Sequence, residues 1–139
     1  MAAVALPQYQ FAVAKSRLAA LKPLLMAIKN AEENYYLENG KYTSRIENLD
    51  IDFPNAPKKA SNGIIDTHFG INLFGNQEGD KYITVVYCPN RTNNTYTSCT
   101  SAIIYYYRIW LNHSNHPYLT DCITSTDLGR KICAAEENL

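Results

Sequence analysis

The chain has 139 residues, one domain's worth, since two cores of half this size would each need extra staples. Thirteen Lys and Arg balance thirteen Asp and Glu, which rules out a nucleic-acid binder driven by overall charge as the default reading. The 46% hydrophobic fraction rules out disorder, and eleven Tyr with fourteen Asn suit a wet strand-and-turn surface more than a catalytic cleft.

Residues 8 to 39 carry the strongest periodic signal. Phe11, Ala14, Leu18, Leu21, Leu25, Ile28 and Tyr35 recur in steps of three and four until Glu32 interrupts, which is one stripe of an α-helix. Lys15, Arg17, Lys22, Lys29, Glu33 and Glu38 fall between them as a solvated face. Asn39-Gly40 supplies the stop, Pro7 suits a helix start or kink, and Pro23 predicts a bend rather than a break because the stripe stays in phase across it. About 32 helical residues span about 48 Å, against a diameter of roughly 35–40 Å for a compact domain of this length. The helix is thus expected to outreach its body, with the apolar stub Ala2, Ala3, Val4, Ala5 and Leu6 projecting as an interaction surface or the remnant of one. That stub is too short for a bilayer span or a signal-peptide core, so the chain reads as the soluble part of something longer, with Met1 as an added start.

Residues 41–63 read as a helix-to-sheet loop rich in Asp, Asn, Pro and Lys. Alternation of Ile65, Thr67, Phe69, Ile71 and Leu73 predicts one half-buried strand, and Tyr82 to Tyr87 a second. After the turn formers of 89–101, Ala102 to Leu111 predicts the longest strand, with Ile103, Tyr105, Tyr107, Ile109 and Leu111 on one side. Tyr118 to Ile123 closes an antiparallel sheet spanning 64–121, and a Cys-bounded tail follows over 122–139. One long helix over 1–40 followed by a meander is an α+β domain, with the helix stripe buried on one sheet face.

Four cysteines stand at 88, 99, 122 and 133, without the close spacing of a zinc knuckle or a C-x-x-C redox motif. Three connectivities are open. Cys88–Cys99 and Cys122–Cys133 are favoured because each encloses a short turn-like stretch, and paired cysteines imply a compartment outside the cytosol. Catalytic signatures are missing from the sequence: there is no G-x-S-x-G, Gly-rich phosphate loop or H-E-x-x-H. His113, His116 and Asp121 lie on a polar turn rather than a helix that aligns imidazoles, and Asp50 and Asp52 read as a solvated loop. Tyr105, Tyr106 and Tyr107 alternate faces, so they read as core and cross-strand pairs rather than a stacking platform. No enzyme, cofactor or metal is therefore expected.

The run Ala2-Ala3-Val4-Ala5-Leu6-Pro7-Gln8-Tyr9-Gln10, followed by Ala14-Lys15-Ser16-Arg17, closely resembles the segment where the membrane-spanning helix of a type IV pilin passes into its soluble half. Ala31-Glu32-Glu33-Asn34-Tyr35-Tyr36-Leu37-Glu38-Asn39-Gly40-Lys41-Tyr42-Thr43, then Leu49-Asp50-Ile51, looks like the helix end and following loop of the same family. The likeness covers about a third of the chain and is specific in order and spacing, and the tail from Cys122 to Cys133 is similar in kind to the disulfide-closed C-terminal region of many pilins.

The resemblance implies a pilin-like fold, a long helix on an about four-stranded antiparallel sheet, and the role of a subunit in an extracellular filament at the cell surface. Its partners would be copies of itself and other pilins. Before assembly the missing N-terminal segment would lie in the inner membrane, and neither a small-molecule substrate nor a nucleic acid is expected. Ala2, Ala3, Val4, Ala5, Leu6 and Pro7 would form the assembly end, Pro7 resembling the helix-loosening proline of the family. The processing site, the mature N-terminal Phe and the early acidic residue of pilins are all missing from this chain. The rivals are a pseudopilin of a type II secretion system, for whose calcium loop only Asp121 and Asp127 stand near, and a minor pilin for adhesion or DNA uptake, to which Lys41, Arg45, Lys58 and Lys59 would offer a local basic patch.

Overall fold

A computed structural model describes residues 2–51, 58–60, 62–65, 68–73, 81–89 and 103–137. Helix α1 runs Ala2–Asn39, followed by a 3-10 turn at Ile46–Asn48. The strands are β1 (Lys58–Ala60), β2 (Gly63–Ile65), β3 (Phe69–Leu73), β4 (Tyr82–Tyr87), β5 (Tyr105–Trp110) and β6 (Thr120–Ile123), and helix α2 occupies Asp127–Glu137. The molecule is α+β, as expected.

Helix α1 is not broken at Pro23: the ring is exposed, and the residue whose carbonyl it leaves without an N–H partner, Ala19, is exposed as well. It stops as the sequence predicts. Gly40 takes the left-handed conformation at φ 73°, its N–H donates to the Tyr36 carbonyl at 2.7 Å, and the Asn39 amide donates to the Tyr35 carbonyl at 3.0 Å. Ala14, Leu18, Leu21, Leu25 and Ile28 are buried, with Phe11 and Tyr35 half-buried against the same core. The expectation that Glu32 interrupts the stripe is corrected: it stands four residues after Ile28, in phase, and is 0% exposed.

The strands form a six-stranded antiparallel sheet in the order β1-β2-β3-β4-β5-β6, not the expected four or so. The single strand expected across 65–73 is two, β2 and β3, and β1 lies within the stretch read as loop. Strands of three residues are too short to show an alternation, which is why they escape a periodicity reading. Gly63 lets β2 lie close against β3, since a Cβ there would stand 1.8 Å from the Ile71 carbonyl oxygen. Register aligns Ile64, Ile71, Val85, Tyr107 and Cys122 in one row, beside Leu73, Ile83 and Ile109, and these rows face the α1 stripe. Tyr105, Tyr107, Ile109 and Leu111 lie on this inner side, while Tyr106 is exposed on the other.

The tail is not only a closed loop. Cys122, on β6, is bonded to Cys133 on α2, with 5.4 Å between their Cα atoms. Helix α2 starts at an N-cap, where the Thr126 hydroxyl accepts from the Gly129 N–H at 2.9 Å, and it buries Ile132 and Cys133. Cys88 is also disulfide-bonded, while Cys99, its expected partner, lies outside the described residues.

Replacing Ile28 by Ala, inside the stripe, is expected to lower unfolding free energy by about 2–5 kcal/mol in urea titration, whereas Leu37→Ala on the exposed face changes it by less than about 0.5 kcal/mol. Replacing Cys122 and Cys133 together by Ser removes the bridge between β6 and α2 and is expected to cost about 2–4 kcal/mol in the same titration.

Candidate functional site

The feature that sets this molecule apart from a closed globule is the N-terminal arm of α1. Its 38 residues span about 57 Å at the rise of an α-helix. Residues 6 to 10 are all exposed, with Leu6 at 56% and Tyr9 at 66%, and the first fully buried stripe residue is Ala14. The expected assembly end lies on this arm: Ala2, Ala3, Val4 and Ala5 continue the helix, and Leu6 and Pro7 stand in solvent. Where the arm joins the body, Arg17 Nη1 donates to the Tyr87 hydroxyl at 3.0 Å, and the Lys15 ammonium lies 6.0 Å from the Phe11 ring centre. Among the described residues no helix is long and apolar enough to cross a membrane.

The opposite end of α1 is fixed by a polar knot that the sequence did not announce. The Glu32 carboxylate is enclosed; its Oε1 accepts from the Thr43 N–H at 3.0 Å, and its Oε2 has no partner. Beside it, Glu33 Oε1 accepts from the Tyr42 hydroxyl at 2.6 Å and Oε2 from the Asn112 N–H at 2.9 Å. The Tyr42 oxygen in turn accepts from the His113 N–H at 3.0 Å. The His113 ring stacks on Tyr36 with centres 3.9 Å apart, and the Lys81 ammonium stands 5.8 Å from the Tyr36 ring centre and 5.9 Å from that of Tyr42. Three segments thus meet at two adjacent glutamates, the end of α1, the loop after it and the β5–β6 turn, and Lys81 at the start of β4 joins them through the Tyr36 and Tyr42 rings. Burial pushes the Glu32 carboxyl up to about 7, aided by the Glu33 charge and opposed by the Thr43 N–H. Burial, followed by the bond to Glu33, also raises the Tyr42 hydroxyl above its ordinary value.

The residues weighed as a metal site do not converge. His113 stacks on Tyr36, His116 meets the Trp110 ring edge-on at 4.7 Å, and Asp121 is held by Arg108 through two bonds of 2.8 and 2.5 Å. Arg108 lies between Tyr82 and Trp110, 5.3 and 5.2 Å from their ring centres, so the outer sheet face is closed by an aromatic and ionic stack. Of the weighed basic patch, Arg45 is paired with Glu47. Among the described residues no group of three or more His, Cys, Asp or Glu is arranged to hold a metal ion.

No protein-family model matches the chain, and neither does any characterised protein or solved structure. A functional reading rests on the chain itself.

The Glu32 carboxyl binds its proton more tightly in the folded state than in the unfolded state, so its contribution is fully present below pH 4.5 and is lost as pH rises toward 7. Folding stability from this group should fall by about 3 kcal/mol across that window. The Glu32→Gln variant is expected to flatten this slope and to be more stable than the parent at pH 8, as measured by urea titration from pH 4 to 8.

Proposed function

We propose that this chain is a structural subunit of an extracellular type IV pilus filament, joined to its neighbours through the N-terminal helix. The observation that carries the reading is the exposed apolar arm of α1, on which Leu6 and Tyr9 lack the cover that Leu18 and Ile28 receive from the sheet. The sequence resemblance of residues 2–17 and 31–51 to type IV pilins and the disulfide-tied tail support it. In a filament, arms from adjacent copies would cover one another, each Å² of apolar surface removed from water contributing roughly 25 cal/mol. The sheet, the loops and α2 would face outward. Such a role asks only for burial and rigidity, and it needs no reacting group.

Antibodies against this domain should decorate thin surface filaments on cells that make the protein, as seen by immunogold electron microscopy, and deletion of its gene should remove both filaments and label. Unlabelled filaments, or filaments that persist in the deletion strain, would overturn the proposal. Replacing Leu6 and Tyr9 together by Lys in the protein as the cell makes it should cut filament yield by roughly a hundredfold or more, the effect of losing two buried apolar side chains per contact. The domain's own melting temperature should stay unchanged, since neither side chain belongs to its core.

A further inference from the structure

A second apolar surface lies far from the arm. Between α1 and the terminal strand β6 runs a groove of about 220 Å³ lined by Leu25, Met26, Tyr118 and Leu119, with Lys22 and Lys29 on its helix wall. Met26 is 50%, Tyr118 78% and Leu119 42% exposed, so three large apolar side chains open on one place. Tyr118 is the one non-glycine residue among those described with φ in the left-handed region, at 67°, so backbone strain is accepted where its ring is held out in water. Strand β6 pairs only with β5 among the described strands. The two lysines differ. Lys22 donates to Glu136 at 2.5 Å, whereas Lys29 has no partner among the described residues.

A complementary surface stands on the same helix. Leu37 is 80% exposed, and the adjacent Glu38 has no hydrogen bond or ion pair among the described residues; Asp50 beside it has none either. Met26 and Leu37 are eleven residues apart, a rotation that returns to within about 20° of the same direction, with an axial separation of about 16 Å. Groove and projection therefore face the same side of α1 at different heights.

We infer that the α1–β6 groove receives the Leu37–Glu38 end of α1 from a second copy of this chain, Leu37 packing among Met26, Tyr118 and Leu119, and Glu38 pairing with Lys29. Charge complementarity selects this occupant, because the groove offers an unpaired ammonium beside apolar surface and the projection offers an unpaired carboxylate beside an apolar side chain. The second copy presents its Leu37 at the height of Met26, so it is shifted by about 16 Å along the helix direction relative to the first. The contact deepens the filament reading by naming where neighbouring heads meet, and it rests on that reading for the crowding that brings copies face to face.

The test uses the purified 139-residue chain at high concentration, so its outcome is separate from whether filaments on cells carry the label. A Met26→Cys variant is mixed with a Leu37→Cys variant and oxidised, with Lys131→Cys on exposed α2 as the collision control. The 26–37 cross-linked pair should exceed the control product by roughly tenfold, fall to the control level when Lys29→Glu is placed on the first chain, and return when Glu38→Lys is added to the second. A pair yield no greater than the control, or one indifferent to Lys29→Glu, overturns the contact.

Discussion

The structure depends on one constraint: the apolar stripe of α1 must be covered by the inner face of the sheet. Ala14, Leu18, Leu21, Leu25 and Ile28 are spaced as a 3.6-residue period demands, and the rows through Ile71 and Ile83 give them a flat partner. The helix extends beyond that partner, however, and only its middle is covered. The same period that drives burial along the stripe therefore leaves apolar side chains without cover at the arm, and the functional reading follows from that excess length.

The corner beyond Ile28 works by different physics. Where the sheet no longer covers the stripe, Glu32 occupies the next inward position and takes the Thr43 N–H as its partner. Glu33 takes the Tyr42 hydroxyl and the Asn112 N–H, so two neighbouring carboxylates tie together two other segments, the loop after α1 and the β5–β6 turn. Buried polar groups of this kind add little net stability compared with an apolar core, and their value lies in specifying one arrangement of the chain. The loop leaving α1 is thereby set at a fixed angle to the sheet, although its sequence alone looks irregular.

Much of the fold was legible because its signals repeat. The α1 stripe, its glycine stop and the inward side of Tyr105 to Leu111 are periodic patterns that tertiary contacts then honour. What stayed hidden lacks a period. Strands of three residues such as β1 and β2 exist because a neighbour pairs with them, and Glu32 broke the apolar reading because its burial depends on an N–H eleven residues ahead. Helix α2 had a local signal in Ser125-Thr126-Asp127, a capping residue followed by an acidic first turn, which was masked by reading the tail as a Cys-closed loop. The arm was visible from the mismatch between helix length and body size, whereas the groove beside β6 required knowing that Met26 and Tyr118 are neighbours.

The orientation of the stripe has a mechanical consequence. Because the contacts between α1 and the sheet run along the helix axis, a pull on the arm loads them in shear, all at once, instead of peeling them apart one after another. On the face of the sheet that α1 covers, the Cys122–Cys133 bond and the Lys22–Glu136 pair couple α2 to both β6 and α1, so tension entering at the arm is shared across the whole head.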